Sequence, residues 1–473
     1  MKLTTATILL VSALAANADG VKYRGIFVND EDWSLRPWAV KHFGKDEQIG
    51  VRAYEEIFSL MKKDGLNLIW PAMHEGGYEF SSRPENLELA KKHGIVVGTS
   101  HCEPMLRNNC YLSKEDKKKW SWTANRDFLE DYWREGVRRG LGRDDRVGDV
   151  LWTIGMRGIH DGKMQDGKTT EEKIKSLEEV FAAQCAMLPE GAPKLFVPYK
   201  EVLPIFNAGL KVPKDATIMW TNDNFGYIRR IGAGSSNEIK QSNNQTIKQS
   251  NPLGIYWHAS YHGSPHGYIH LCTTPPAFMW YELVAKCWEN GVRDVWMVNA
   301  GDVFQAEVLL DAYGRFASDP EAWKTRGEAQ SEALRMWVDE CFAQGELTQS
   351  RREAEVAEDP VSGGIPKAPL AKSIPKQLCA LSLSAPLRER IVSHLNEYYN
   401  LGFNRRPEHM CVQWTTNLPA SVKSSLLKRY HALLAEDQVL ESQIKQSNNP
   451  NNQTLADEYF RLVGFQARFL AYA

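Results

Sequence analysis

The clearest pattern along this chain is a regular alternation of short apolar runs with amphipathic runs between residues 22 and 302. Each apolar run has the length of a buried strand, and polar residues follow it directly. The pattern predicts eight strands, at residues 24–28, 67–73, 95–100, 150–156, 194–199, 217–221, 254–261 and 294–299.

Helical periodicity fills the intervals between these strands, for example at residues 51–63, 126–139, 171–187 and 276–290. Strands that alternate with helices predict a parallel sheet, because each helix carries the chain back to the start of the next strand. Eight such units over about 280 residues predict a (β/α)8 TIM barrel. A doubly wound open sheet is the alternative. It is less favoured because no glycine-rich phosphate turn follows the first strand.

The pattern changes after residue 302, where helical periodicity continues without strands, at 328–342, 385–399, 421–436 and 457–471. We expect an α-helical bundle packed against the barrel. The predicted domains are therefore a catalytic barrel at 19–315 and a helical bundle at 316–473. The barrel would contain a low-complexity insert at 235–252.

The first 18 residues have the features of a secretory signal peptide. Lys2 supplies the positive start, residues 6–15 form a short apolar segment, and Ala16-Asn17-Ala18 offers a small-x-small cleavage site. The apolar segment is too short to anchor the chain in a bilayer, and no later stretch resembles a membrane span. We therefore expect a secreted or periplasmic protein that begins near Asp19.

The insert contains a repeated peptide. Ile-Lys-Gln-Ser-Asn occurs at 239–243, 247–251 and 444–448, and Asn-Asn-Gln-Thr occurs at 243–246 and 451–454. The spacing is too irregular for a solenoid. These segments are polar enough that we expect them to remain surface loops.

Composition narrows the classes of function. The 473 residues include 57 basic and 59 acidic side chains, and this balance gives no indication of nucleic-acid binding. The 15 tryptophans are a supply suited to stacking on sugars, although most would lie in the core. The 8 cysteines lack zinc-type spacing and predict buried thiols, with a Cys102–Cys110 pairing as the alternative.

The ends of the predicted strands carry the candidate chemistry. A barrel brings the carboxyl ends of all its strands to one face, where active sites form. Acids, amides, histidines and one arginine recur there: Asn29–Asp32, His74, Glu75, His101, Glu103, Arg157, His160, Asp161, Tyr199, Lys200, Glu201, Asn222, Asp223, Asn224, His258, Tyr261, His262, Asn299 and Asp302.

These residue types favour glycoside hydrolysis, which requires a carboxylic acid and a second base or nucleophile. The chain lacks a G-x-S-x-G elbow, a Walker loop and an H-E-x-x-H motif, and hydride transfer and phosphoryl transfer lose support. Arg157 indicates an anionic substrate, because a guanidinium can bind a carboxylate through two parallel hydrogen bonds.

Several motifs in this order resemble glycoside hydrolase family 115, the xylan α-1,2-glucuronidases. They are Y-R-G-I-F-V-N-D-E-D-W (23–33), G-T-S-H-C-E-P-M (98–105), W-T-I-G-M-R-G-I-H-D-G (152–162), Y-K-E-V (199–202), W-T-N-D-N-F-G-Y (220–227), I-Y-W-H-A-S-Y (255–261), L-C-T-T-P-P-A (271–277) and V-N-A-G-D (298–302). A weaker match is Y-Y-N-L-G-F-N-R-R-P-E (398–408) in the helical region.

The resemblance implies inverting removal of glucuronic acid, or its 4-O-methyl ether, from xylan. It implies that Glu201 is the general acid, that Asp161 is the leading candidate for the base, with Asp223 as the alternative, and that Arg157 binds the uronate carboxylate. The positions implied to contact sugar are His101, Asn224, His258 and Tyr261. Asp30 is expected to be the residue of the first strand end that lies nearest the sugar.

Other interpretations remain open at this stage. The chain could be a degenerate, non-catalytic carbohydrate-binding relative, or a barrel glycosidase of another specificity. The expected partner is a polysaccharide, glucuronoxylan or its oligosaccharides. Neither a nucleic acid nor a membrane span is expected. The resemblance allows a homodimer, and the proposed chemistry requires no cofactor or metal.

Overall fold

The computed structural model of the protein describes residues 20–29, 35–45, 48–73, 78–142, 147–232, 238–240, 246–248, 251–259, 272–301, 303–342, 383–404, 418–447 and 452–472. The signal segment, Asp30 and Tyr261 lie outside these ranges. No helix in the described part of the chain is long and apolar enough to cross a membrane.

Eight parallel strands form a closed barrel, which confirms the predicted fold class. The strands are β1 (Tyr23–Val28), β2 (Leu68–Trp70), β3 (Val96–Gly98), β4 (Val150–Thr153), β5 (Lys194–Phe196), β6 (Ala216–Thr221), β9 (Leu253–His258) and β10 (Val295–Gly301). Their order around the barrel is β1-β2-β3-β4-β5-β6-β9-β10. The last strand pairs with the first, with Tyr23 opposite Val295 and Phe27 opposite Asn299.

Helices surround the barrel and continue beyond it. The α-helices are Leu35–Phe43, Val51–Lys63, Pro84–Lys92, Lys114–Lys117, Arg126–Leu141, Thr170–Met187, Val202–Asn207, Pro276–Glu282, Val303–Ser318, Pro320–Lys324, Ala329–Phe342, Ala385–Asn404, Ala420–Lys445, Asn452–Tyr459 and Phe465–Tyr472. Short 3-10 helices occur at Phe80–Ser82, Pro104–Leu106 and Asn109–Tyr111, and π-helical turns at Leu283–Trp288 and Phe460–Gly464.

The local sequence explains why these helices begin where they do. Thr169 and Glu172 form a capping box at the start of Thr170–Met187, because the Thr169 hydroxyl accepts from Glu172 N at 3.2 Å while Glu172 Oε2 accepts from Thr169 N at 3.1 Å. A proline stands at the first position of Pro276–Glu282, where its missing N–H costs no hydrogen bond.

The interior of the barrel is filled with side chains and is not a channel. Its apolar cluster includes Phe27, Trp70, Met219, Tyr256 and Met297, each at most 2% exposed. This packing is expected of an eight-stranded barrel, whose interior is just wide enough for side chains. The packed interior leaves no room for a ligand among these side chains.

A second hydrophobic cluster joins the helices that follow the barrel. It contains Trp337, Ile391, Leu440 and Tyr459, all at most 1% exposed. The same cluster includes Val308 from Val303–Ser318, a helix that also packs against the barrel. The predicted boundary between residues 315 and 316 falls inside that helix, and the division into domains stays a prediction.

The expectation that the repeats remain loops is wrong. Described residues of two copies lie in a pair of short antiparallel strands, β7 (Glu238–Lys240) and β8 (Thr246–Lys248), with Ile239 opposite Ile247. The third copy completes the helix Ala420–Lys445, where Ile444 is fully buried. The pentapeptide contains one apolar residue, and its neighbours decide whether that residue pairs across strands or packs between helices.

Cysteine pairing within the described residues follows the buried-thiol prediction. Cys102, Cys110, Cys185, Cys272, Cys287 and Cys341 are all free. The alternative of a Cys102–Cys110 disulfide is therefore wrong. Both side chains are buried in the segment after β3.

Replacement of Gly314 by alanine should destabilise the fold. A Cβ at Gly314, in the helix Val303–Ser318, would lie 1.9 Å from the carbonyl oxygen of Asp64. The resulting displacement of backbone should lower the free energy of unfolding by about 1–3 kcal/mol. This loss exceeds the roughly 1 kcal/mol of helix propensity that alanine would contribute. Gly327→Ala, whose Cβ would meet no atom within 4 Å, is the matched control. Equal midpoints of thermal unfolding for the two variants would contradict the steric argument.

Candidate active site

Arg157 lies at the centre of the carboxyl end of the barrel. It follows β4, and its side chain is only 3% exposed. Residues that follow the neighbouring strands β3 and β5 surround it, because parallel strands deliver their C-terminal ends to one face. The structure thereby brings together Arg157, Asp161 and Glu201, three of the residues singled out from the sequence.

The guanidinium of Arg157 binds both candidate catalytic carboxylates. Nε donates to Glu201 Oε1 at 2.9 Å, and Nη2 donates to Glu201 Oε2 at 2.7 Å. Nη1 donates to Asp161 Oδ1, and Nη2 also contacts the Asp161 carbonyl oxygen at 3.3 Å. Such a two-bond arrangement sets both the distance and the orientation of Glu201.

Asp161 is held as an ionised carboxylate. Lys200 donates to Asp161 Oδ2, and His101 Nε2 lies 3.5 Å from Oδ1. Burial raises the pKa of Asp161, but His101, Lys200 and Arg157 together lower it by more, so the pKa lies well below its usual range. The side chain of Asp161 is 36% exposed and Glu201 is 19% exposed. Both acids can therefore meet a ligand at the mouth of the barrel.

The backbone is strained next to both acids. His160 precedes Asp161 with φ +53°, and Lys200 precedes Glu201 with φ +49°. Left-handed conformations of residues other than glycine cost energy and concentrate at functional sites. These turns direct the two carboxylates toward Arg157.

Asn109 holds the loop that carries Arg157 and Asp161. Its amide nitrogen donates to the Gly158 carbonyl oxygen at 3.1 Å, and its amide oxygen accepts from His160 N at 2.8 Å. Asn109 is 1% exposed. Trp120 adds a third contact, from Nε1 to the Arg157 carbonyl oxygen at 2.7 Å. Asn109 and Trp120 are not among the residues singled out from the sequence, because neither follows a strand directly.

Aromatic rings and an amide form the wall beside this group. The Tyr199 ring lies edge-on to His101, with centroids 4.9 Å apart, and Tyr256 lies 4.5 Å from His258. His258 Nδ1 is 2.6 Å from Asn222 Oδ1, which fixes the direction of the ring. Burial lowers the pKa of His101, which keeps the imidazole uncharged against the opposing effect of Asp161.

Asp223 is built into a turn after β6. Its Oδ1 accepts from Phe225 N and Tyr227 N, both at 2.9 Å, and its Oδ2 accepts from Arg229 Nε at 2.7 Å. These contacts occupy both carboxylate oxygens. The next residue, Asn224, is exposed on the same turn. The predicted role of Asp223 as a base stays a prediction, and so do the sugar contacts of Asn224, His101 and His258.

Glu103 turns away from Arg157 and packs behind the end of β3. Ser100 Oγ donates to Glu103 Oε2 at 2.9 Å, and Glu103 is 5% exposed. Burial raises the pKa of Glu103 to about 8, against the hydrogen bonds from Ser100 that lower it. This carboxyl group stabilises the turn that holds His101.

One group of described residues has the composition of a metal site. Ligand-type atoms of His101, Cys102 and Asp161 lie within 4.8 Å of one another. However, Arg157 Nη1 lies 3.6 Å from Cys102 Sγ, and both Arg157 and Lys200 bind Asp161. A divalent cation there would face two positive charges, so we do not assign a metal to this group.

Truncation of Asn109 should disorder the loop that carries Arg157. Asn109→Ala would remove the hydrogen bond to His160 N and would take the side-chain donor from the buried Gly158 carbonyl, at about 1–3 kcal/mol for that buried group. We expect a lower midpoint of thermal unfolding and faster hydrogen exchange in the segment 157–162. Asn290→Ala removes a similar amide-to-carbonyl bond of 2.8 Å at an exposed position, and should change neither measurement. Unchanged exchange in Asn109→Ala would contradict this role.

Comparisons with known proteins agree with the geometry. The model of glycosyl hydrolase family 115 matches residues 16–358. Among solved structures, the chain is similar to BtGH115A, described as a family GH115 4-O-methyl-alpha-glucuronidase with specificity for decorated arabinogalactans, at 28% identity and a TM-score of 0.73. That match covers 96% of this chain and 54% of BtGH115A, so the chain spans about half the length of that protein.

More distant similarities carry no functional argument. An O-GlcNAc hydrolase mutant from Thermobaculum terrenum matches at 12% identity and a TM-score of 0.42, covering 95% of this chain and 84% of its own. An endo-1,4-beta-mannanase from Rhizomucor miehei matches at 10% identity and a TM-score of 0.36, covering 63% of this chain and 95% of its own. No curated protein sequence matches. Because the family model covers well over half of the sequence, the chain belongs to glycosyl hydrolase family 115.

Proposed function

We propose that this protein is an inverting glycoside hydrolase that removes α-1,2-linked glucuronic acid, or 4-O-methyl-glucuronic acid, from xylan. The observation that carries the proposal is a buried arginine bound to two carboxylates at the mouth of the barrel. The two carboxylates match the needs of glycoside hydrolysis, and the arginine matches the carboxylate of a uronic acid. Membership of family 115 and similarity to an alpha-glucuronidase support this assignment.

In the proposed mechanism, Glu201 donates a proton to the glycosidic oxygen and Asp161 accepts one from the attacking water. Asp161 is favoured over Asp223 because it shares Arg157 with Glu201, whereas Asp223 bonds to Phe225, Tyr227 and Arg229 of its own turn. The depressed pKa of Asp161 keeps it ionised, as a base must be. Inversion requires room for a water, so the carboxyl groups of the working pair should be about 6.5–9.5 Å apart.

We also propose that the protein acts outside the cytoplasm, in agreement with the signal-like N-terminus. Decorated arabinogalactan is the alternative to xylan as the polymer substrate, because BtGH115A is described as specific for decorated arabinogalactans. We also propose that the protein forms a homodimer, which the molar mass of the protein in solution would test.

Release of uronic acid is the direct test. Purified protein should liberate glucuronic acid or its 4-O-methyl ether from glucuronoxylan, and Glu201→Gln should reduce the rate by about 10²–10⁴-fold, as expected for loss of a general acid. Glu190→Gln, which makes the same change at an exposed position before β5, should retain the rate. Release of uronic acid from glucuronic-acid-decorated arabinogalactan but not from glucuronoxylan would mean that arabinogalactan, and not xylan, is the substrate. Binding of both polymers without release would favour the non-catalytic alternative.

The stereochemistry of the first product tests inversion. Proton NMR during the early reaction should show the β anomer of the released uronic acid, because a water attacks the face opposite the α-linked leaving group. Mutarotation should then produce the α anomer over a longer time. An α anomer that appears first would reject the inverting mechanism and indicate a covalent intermediate.

A further inference from the structure

The two roles assigned to Arg157 and Glu201 compete with each other in this structure. A uronate would be bound by two guanidinium nitrogens of Arg157. In this structure Nε and Nη2 already donate to Glu201, at 2.9 and 2.7 Å. A carboxylate paired in this way with a guanidinium is favoured in its ionised form. A general acid, however, must carry a proton when the substrate is bound.

The charges around Glu201 balance before any substrate arrives. Arg157 and Lys200 are positive, and Asp161 and Glu201 are negative, so this group of four has no net charge. Among the described residues, His101 and Cys102 are the further titratable groups that contact it, and both are neutral. Burial lowers the pKa of His101 and raises the pKa of the Cys102 thiol. A bound uronate would therefore add one uncompensated negative charge.

Three carboxylates around one buried guanidinium cannot all remain ionised without a large electrostatic cost. Asp161 would keep its ion pair with Lys200 while the uronate binds Arg157, so it stays ionised at this step. Glu201 depends on Arg157 for its two ionic hydrogen bonds and would lose both to the incoming carboxylate. The proton should therefore go to Glu201.

We propose that the carboxylate of the substrate displaces Glu201 from Arg157, and that Glu201 takes up one proton from solvent in this exchange. This inference rests on the proposed function and adds a specificity mechanism to it, because the general acid becomes active only when an anionic sugar is bound. Neutral hexosides would leave Glu201 ionised and paired. The enzyme would then discriminate against them in kcat as well as in KM.

Over one turnover the enzyme takes one proton from solvent and returns one to it. Glu201 receives a proton from solvent as the uronate binds, and passes it to the glycosidic oxygen as the bond to the anomeric carbon breaks. Asp161 takes a proton from the water that attacks the same carbon. The uronate product then leaves, Glu201 pairs again with Arg157, and Asp161 returns its proton to solvent.

Calorimetry with D-glucuronate measures the exchange directly. Titrations in buffers of different ionisation enthalpy should show uptake of about one proton per bound glucuronate at neutral pH. Glu201→Gln should abolish this uptake and bind glucuronate at least tenfold more tightly, because a neutral amide competes poorly for the guanidinium. Glu103→Gln, which removes a buried carboxyl behind the end of β3 that does not contact Arg157, should retain the uptake. Uptake that persists in Glu201→Gln would place the proton elsewhere and overturn the proposal.

The pH dependence of the unsubstituted enzyme gives a second test that needs no variant. The kcat/KM profile reports the free enzyme and the kcat profile reports the bound enzyme. The alkaline limb of kcat should lie at least one pH unit above that of kcat/KM. Coincident limbs in an active enzyme would reject the exchange while leaving the proposed function intact. If the protein neither bound glucuronate nor released it from a decorated polymer, the proposed function would be wrong. The exchange at Arg157 would then be wrong as well.

Discussion

The buried guanidinium of Arg157 is the constraint on which the candidate site depends. A charge that is 3% exposed is tolerated only when opposite charges and hydrogen bonds compensate it. Glu201 and Asp161 supply that compensation, and each lies in a loop that must therefore stay close to the end of β4. The arginine thus joins the β4 loop, which also carries Asp161, to the β5 loop that carries Glu201. It also determines which ligand charge the mouth of the barrel can accept.

The barrel holds these charged groups in fixed positions. Its strands close through the pairing of β1 with β10, and its interior is packed with aromatic and apolar side chains. A packed barrel end has little freedom to move, so the loops that leave β3, β4 and β5 begin from fixed points. Asn109 and Trp120 then restrain the β4 loop from the side. Rigid supports of this kind are what an active site needs to hold an acid and a base in place.

In the proposed exchange, the same electrostatic arrangement links recognition to catalysis. An arginine that pairs with an enzyme carboxylate in the free protein has a binding site that only another carboxylate can take over effectively. A uronic acid is such a ligand, whereas a neutral sugar is not. Selectivity for uronates would then arise from competition for one guanidinium as well as from the shape of the pocket. It would also require that substrate binding be accompanied by proton uptake.

Much of the fold was predictable from local pattern, and so were the residue types of the site. Periodicity identified the barrel strands and most helices, because burial of apolar faces imposes a period on the sequence. The polar ends of the strands identified Arg157, Asp161 and Glu201 as neighbours. The repeats were not predictable in this way. One pentapeptide lies in a short strand at Ile239 and in a helix at Ile444, and only the neighbouring chain selects between them.

Sequence by itself determined the barrel, its order of strands and the face on which chemistry would occur, since these follow from local periodicity and from the geometry of parallel strands. Only the tertiary structure decided how the polar groups pair. It assigned Arg157 to two carboxylates, enclosed Asp223 in its own turn, and placed Asn109 behind the β4 loop. A hydrogen bond or ion pair forms only when two groups are positioned to within a few tenths of an ångström. The packing of the whole fold sets those positions, and no local pattern in the sequence encodes them.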